Sequence, residues 1–252
     1  KETSDSKRGP ERIFGIHPLI EALNGERSVE RIYIAKGRGG PAVDELVQLA
    51  RSKGVPLHFE LREVLDRSMG SPKHQGVMGL VAAKAYADLD DILKRASDRG
   101  EAAAILVLDG IEDPRNLGAI LRTADASGFH GVVIPQRRAS GLSETVAKTS
   151  AGALEHVAVA RVVNLTQALE TLKAAGLWIY GLDLAAGKSY LEIDYRGPVA
   201  IVVGAEGEGI GRRVLSTCDE CVRLPMKGRV ASLNVSVAVG VIAYEVLRQR
   251  IK

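Results

Sequence analysis

The sequence predicts an α/β protein: a C-terminal parallel sheet with helices on both faces, preceded by a small N-terminal α/β unit. Two observations carry this. From Ala103 onward, short runs rich in β-branched residues alternate with helical patterns, the order that places crossover helices on the two faces of a parallel sheet. Before residue 84 the same alternation recurs on a smaller scale, and a polar stretch, 84–101, separates the two regions with Leu89, Ile92 and Leu93 as its apolar anchors. The expected division is a mobile polar tail at 1–11, an N-terminal unit at 12–83, a partly helical linker at 84–101 and a main domain at 102–252. A chain of 252 residues has room for two units of ordinary size.

Taken in order, residues 17–23 read as a helix and 30–35 as a strand. Residues 42–52 form an amphipathic helix, since Val43, Leu46, Val47 and Ala50 fall on one face. Residues 56–59 and 77–82 are further strands. In the main domain, strands are expected at 105–108, 131–134, 157–162, 177–182, 199–203 and 221–224, with helices starting near Leu117, Leu142, Leu165, Gly211 and Ser232. The uninterrupted apolar run at 199–203, bounded by glycines, is a central buried strand. Pro225 ends the strand before it, because proline has no N–H for a ladder.

Three constellations stand at the ends of separate strands. After 105–108, turn chemistry at Asp109-Gly110 and Asp113-Pro114 leads to Asn116, read as the cap of a helix that runs to about Ser127 and stops at Gly128. Arg122 lies nearly two turns along it; Leu117, Ile120, Leu121 and Ala124 surround it, so the arginine is expected to reach a protected place. After 199–203, glycines 204, 207, 209 and 211 admit a ligand close to the backbone, with Glu206 a placed carboxylate among them. After 221–224, a polar loop leads to Ser232 and Asn234, which cap a long apolar helix and set backbone donors at its positive end.

Together these segments resemble the signature motifs of the SpoU/TrmH branch of the SPOUT RNA methyltransferases. The matching pieces are Asn-x-Gly-x-x-x-Arg (Asn116, Gly118, Arg122), Gly-x-Glu-Gly (Gly204, Glu206, Gly207) and Leu-Pro-Met with Ser-Leu-Asn (Leu224 to Met226, Ser232 to Asn234), in the family's order. Thr149 to Ala153 resembles the family's short Ser/Gly segment, while the stretch from Arg12 to Leu23 and His74-Gln-Gly-Val77 resemble its substrate-binding domain. The combination is similar to the RlmB type, which methylates a guanosine 2′-hydroxyl of large-subunit ribosomal RNA. The resemblance implies a deep C-terminal trefoil knot that sets the second and third motif loops side by side. It also implies S-adenosylmethionine as cofactor, held by backbone around Gly204, Leu224, Met226 and Leu233. Asn116, Glu206, Ser232 and Asn234 would orient the methionyl end, the ribose and Arg122. Arg122 would either take the 2′-OH proton or hydrogen-bond the developing oxyanion. A guanidinium is essentially never deprotonated, which favours the second role; the sequence leaves both open.

Composition narrows the field independently. A net charge of +3 does not by itself imply a nucleic-acid partner, and the charge is spread: 14 Lys/Arg against 13 Asp/Glu up to residue 90, and 20 against 18 beyond it. Basic residues at strand-end loops, such as Lys36 and Arg38, Arg137 and Arg138, and Lys227 and Arg229, suit phosphate contacts. No apolar run approaches the roughly 18 residues that cross a bilayer, and two cysteines, Cys218 and Cys221, fit a reducing cytoplasm. Cys218-Asp-Glu-Cys221 is half a zinc site without a second pair, so no metal is expected. Gly187-Lys188-Ser189 fails as a P-loop because Leu182 holds the required glycine position, and Arg212 occupies the third glycine of a dinucleotide motif.

The expected function is therefore S-adenosylmethionine-dependent 2′-O-methylation of a ribosomal RNA ribose. Methylation of a tRNA ribose and a catalytically silent RNA binder are the alternatives. A homodimer through the catalytic domain is expected too. The last helix carries Val235, Val237, Val239, Val241, Ile242, Val246 and Leu247 on more than one face, and the first-motif helix of a second subunit is the expected cover.

Overall fold

The computed structural model describes residues 10–25, 27–69 and 76–251. The tail expectation for 1–9 and the motif residues His74 and Gln75 lie outside them. The described residues form two compact units: those within 10–85 together with 142–156, and 86–141 together with 157–251.

The first unit contains β1 (Glu11–Phe14), α1 (Ile16–Asn24), β2 (Val29–Ala35), α2 (Pro41–Ser52), β3 (Leu57–Glu60), α3 (Arg62–Met69) and β4 (Val77–Val81). Its mixed sheet runs β1-β4-β2-β3. Ile32, Ile34, Val77 and Val81 of the sheet pack with Leu19 and Leu23 of α1 and Val43 and Leu46 of α2 in one core. Leu19 of α1 packs directly over Gly79, where a Cβ would stand 2.3 Å from Leu19 Cδ2 and turn that side chain aside.

Two short helices from later in the chain, α6 (Glu144–Thr149) and α7 (Ala153–His156), complete this unit, whereas the sequence placed them in the catalytic domain. α6 packs on β1, and a buried ion pair adds to the attachment. Arg27, side chain 5% exposed, donates to Glu155 Oε1 at 2.8 Å and to Glu11 Oε2 at 2.8 Å, and caps the Ala82 carbonyl. Lys84 Nζ donates to the Glu155 carbonyl at 2.9 Å. A buried carboxylate holds only where such a partner is fixed, and no local sequence pattern reports a partner more than a hundred residues away.

The second unit contains α4 (Leu89–Asp98), β5 (Ala104–Asp109), α5 (Pro114–Ala126), β6 (Gly131–Pro135), β7 (Ala158–Val162), α8 (Leu165–Ala174), β8 (Trp178–Leu182), β9 (Lys188–Ser189), β10 (Val199–Gly204), α9 (Arg212–Leu215), β11 (Glu220–Arg223) and α10 (Val235–Arg250). The seven strands lie in the order β7-β6-β5-β10-β8-β11-β9, every pair parallel. Ile105, Val107, Val133, Ile179 and Val202 pack on one face with α4, α8 and α9. The alternate residues Leu106, Leu108, Val132, Ile201 and Val203 are buried too, as the pleat requires when helices cover both faces. On their side α5 packs on β6 and α10 on β10.

Three expectations change here. The stretch read as a linker supplies α4 to this unit: Ile92 is fully buried, filling the space a Cβ on Gly131 would take. Asp113, not Asn116, caps α5, accepting from Arg115 N–H at 2.8 Å with Pro114 at the first helical position. Finally, α10 packs against α5 of the same chain, the contact expected from a second subunit. Val237, Val241 and Tyr244 nonetheless remain 50%, 37% and 53% exposed along one side of α10.

Candidate active site

Strand order sets the site. β5 and β10 are neighbours, and β8 lies between β10 and β11. The loops leaving their C-terminal ends therefore emerge along one edge of a parallel sheet, where α/β folds hold ligands.

The loop after β10 turns back sharply on itself. Gly209 N–H donates to the Ala205 carbonyl at 2.9 Å, and Gly207 and Gly209 take φ of +82° and +69°, a region that favours glycine. Gly204 is needed for a different reason: a Cβ there would stand 2.0 Å from the carbonyl carbon of Gly209. Asp109, at the end of β5, ties this loop to the first one by accepting from Gly211 N–H at 2.8 Å.

Glu206 is the point where the three loops meet. Its Oε1 accepts from Asn116 Nδ2 at 3.1 Å, Asn234 Nδ2 at 2.7 Å and Val235 N–H at 3.2 Å. Asn234 Nδ2 also donates to Asn116 Oδ1 at 3.0 Å, while its Oδ1 caps α10 through Ser236 N–H at 3.0 Å and Val237 N–H at 3.4 Å. The amide accepts at the cap and at the same time donates to both the carboxylate and Asn116; an aspartate would cap as well but set a second negative charge against Glu206. The carboxylate also sits at the positive end of α10, which favours it.

A cleft of about 440 Å³ opens beside this junction. Leu182, Leu224, Met226 and Leu233 line it with apolar side chains, and Asp183, Glu206 and Ser232 with polar ones, alongside Gly204. An adjoining, more polar cleft of about 300 Å³ shares Glu206 and Val235 and includes Asn116, Glu112 and Arg138. The structure thus brings Gly204, Leu224, Met226, Leu233, Glu206 and Ser232 to one cleft, and Asn116 and Asn234 to its lip.

Arg122 is the exception. It is exposed on α5 and lines none of these clefts, so the expected protected position does not form within a single chain. The apolar neighbours that suggested protection face the sheet, and helical geometry turns Arg122 away from them. Asp183 and Leu184 were missed by sequence reasoning; no motif marks them, and they enter the cleft only because β8 lies between the second- and third-motif strands.

Apolar side chains, a close-approaching glycine backbone and a polar junction around one cleft can hold a nucleoside-like ligand beside a second reactant. Comparison with known proteins agrees. Residues 103–244 match the SpoU rRNA Methylase family, and residues 12–87 match the RNA 2′-O ribose methyltransferase substrate binding family. The TrmH family tRNA/rRNA methyltransferase YacO of Bacillus subtilis is 45% identical over 238 residues, 94% of this chain and 95% of its own. An AdoMet-bound rRNA methyltransferase from Sinorhizobium meliloti is 25% identical with a TM-score of 0.81, over 96% of this chain and 88% of that one. A TrmH/SpoU tRNA modifying enzyme of A. aeolicus is 32% identical with a TM-score of 0.54, over 64% of this chain and 84% of its own. With the motif residues gathered around Glu206 and both family descriptions met in order along the sequence, the chain belongs to the SpoU rRNA methylase family.

Proposed function

We propose that this methyltransferase acts on a guanosine 2′-hydroxyl of large-subunit ribosomal RNA, using S-adenosylmethionine. Family membership carries the coarser statement, a ribose methyltransferase of tRNA or rRNA. The observation that carries the site is the convergence of all three motif loops on Glu206 Oε1 at the mouth of the 440 Å³ cleft. The lining fits the cofactor: apolar Leu182, Leu224 and Met226 would hold an adenine ring, and Ser232 and Glu206 would hold the charged methionyl end. When bound, S-adenosylmethionine supplies an activated methyl group. The residues of the chain then have to align the reactants, exclude water and stabilise the ribose oxygen as its proton leaves. Asn116, Glu206, Ser232 and Asn234 are assigned the orientation, and Arg122 the hydrogen bond to the developing oxyanion, with a substrate phosphate or water taking the proton.

The ribosomal substrate is favoured over tRNA by the first unit: the rRNA neighbour aligns with 96% of the chain, the tRNA enzyme with only 64%. That unit is assigned to RNA recognition. A homodimer belongs to the same proposal, supported by the exposed Val237, Val241 and Tyr244 on α10 and by the exposed Arg122 on the adjoining α5; these are groups a second copy would cover. The deep knot is part of it as well, supported by the single cleft that the second and third loops share. Among the described residues no helix is long and apolar enough to cross a membrane.

The test is to incubate the protein with S-adenosylmethionine and either undermodified ribosomal RNA or tRNA, then map the modified nucleotide. A 2′-O-methylguanosine in large-subunit RNA is expected. Modification of tRNA alone would overturn the substrate, and cofactor binding by calorimetry without any transfer would leave a silent RNA binder. Sedimentation at micromolar concentration decides the dimer: a fully active monomer refutes it.

A further inference from the structure

A third cleft, of about 350 Å³, continues from the polar one, with Arg138, Gly110, Ala205 and Glu208 common to both. Its outer wall carries Arg212 and Arg213, which with Arg138 make three arginines around one groove. Two carboxylates line it as well, Asp109, which accepts from Gly211 N–H, and Glu208, which is ion-paired to Arg138, so the three arginines are in excess. The Arg212 and Arg213 side chains, both exposed, have no hydrogen bond or ion pair among the described residues. Arg138 holds a left-handed backbone, φ +57°, and stands between Glu208 of the second loop and Glu112 of the first, 3.9 Å away. A non-glycine residue in that region persists only where its surroundings require it.

We propose that this groove receives the RNA backbone next to the target ribose: Arg212 and Arg213 bind a phosphodiester, and Arg138 exchanges its carboxylate partners for an adjacent one. The chain of clefts supplies the geometry. The cofactor cleft and the polar cleft meet at Glu206, and the polar cleft opens into the arginine groove through Arg138. A strand whose ribose reaches the first junction has its neighbouring phosphates directed along the groove. The chemistry favours phosphate because planar guanidinium groups bind its oxygens bidentately, and such contacts fix register without reading bases. The inference rests on the reading of the chain as an RNA ribose methyltransferase.

The test measures affinity for an unmodified large-subunit rRNA transcript as a function of salt, for the wild type, R138A, the double variant R212A/R213A and the lysine version R212K/R213K. Each phosphate no longer neutralised should lower the slope of log affinity against log salt by about 1, so R138A and the alanine double variant should each lose roughly 1 and the lysine version should keep the wild-type slope. Calorimetric affinity for S-adenosylmethionine should be unchanged in all of them, which excludes misfolding. Where transfer is observed, the KM for RNA should rise while kcat stays. An alanine double variant with the wild-type slope and RNA affinity overturns the proposal. A wild type that binds RNA through this groove yet methylates neither rRNA nor tRNA would overturn the enzymatic reading while leaving the groove standing.

Discussion

Replacing Gly204 with alanine tests whether the cofactor cleft depends on the close return of the second-motif loop. The new Cβ would lie 2.0 Å from Gly209 C, 2.2 Å from Gly209 O and 2.2 Å from Ile210 N. All three are backbone atoms, so no side chain can rotate away. Carbon atoms settle about 3.5–4.0 Å apart, which requires the Gly209–Ile210 backbone to retreat by about 1.5–2 Å. That movement pulls Ile210 from the core it shares with Val202 and Val214, and it breaks the Gly209–Ala205 and Gly211–Asp109 hydrogen bonds. Overpacking of this kind costs about 1–3 kcal/mol, and the two bonds about 1 kcal/mol each, for a total of ~3–5 kcal/mol. In a chain of this size the melting temperature should fall by roughly 10 °C. Because the same backbone forms the wall of the 440 Å³ cleft, calorimetry should show S-adenosylmethionine affinity reduced at least tenfold. A Gly204→Ala protein that melts with the wild type and binds the cofactor equally well would refute the argument.

Arg122→Ala should abolish methyl transfer and leave stability and cofactor affinity intact, since the side chain is exposed and lies outside the cofactor cleft; Arg122→Lys should fail as well, because an ammonium lacks the planar fork, and near-normal turnover in either would remove the assigned role. Arg27→Ala leaves the Glu155 carboxylate, 3% exposed, without its cation and should destabilise the first unit by about 3–5 kcal/mol, read as earlier urea unfolding and faster proteolysis between residues 142 and 156; unchanged protection there would contradict the pairing. His130 titrates below its ordinary range because burial outweighs the help of Glu101. Its Nδ1 accepts from Ala104 N–H at 3.0 Å, a bond that protonation destroys. The unfolded chain therefore binds the proton more readily, and stability should fall as pH drops below about 6.5; His130→Asn, which keeps an acceptor but no titration, should flatten that dependence in urea melts at pH 7.5 and 5.5, and an unflattened profile would exonerate His130.

The periodicities of the chain determined, on their own, the alternation of strands and helices and the buried central strand at 199–203, and the motifs marked Asn116, Glu206 and Asn234, which the structure brings together. Those signals are local: β-branched runs, Pro225 after a strand, and Asn234 before a helix each act on the backbone within a few residues. The tertiary structure decided what depends on partners distant in sequence. Strand order placed β8 between β10 and β11 and so brought Asp183 and Leu184 to the cleft. Packing of α6 on β1 together with the Arg27–Glu155 pair joined residues 142–156 to the first unit, and Ile92 fitted over Gly131 and turned an expected linker into part of the core. Asn116 shows both effects at once. Its place just after a turn marked it as a cap, yet Asp113 and Pro114 already supply that function. Its amide is therefore left to meet Glu206 and Asn234, residues 90 and 118 positions away, a contact that forms only when β5, β10 and β11 end along the same edge of one sheet.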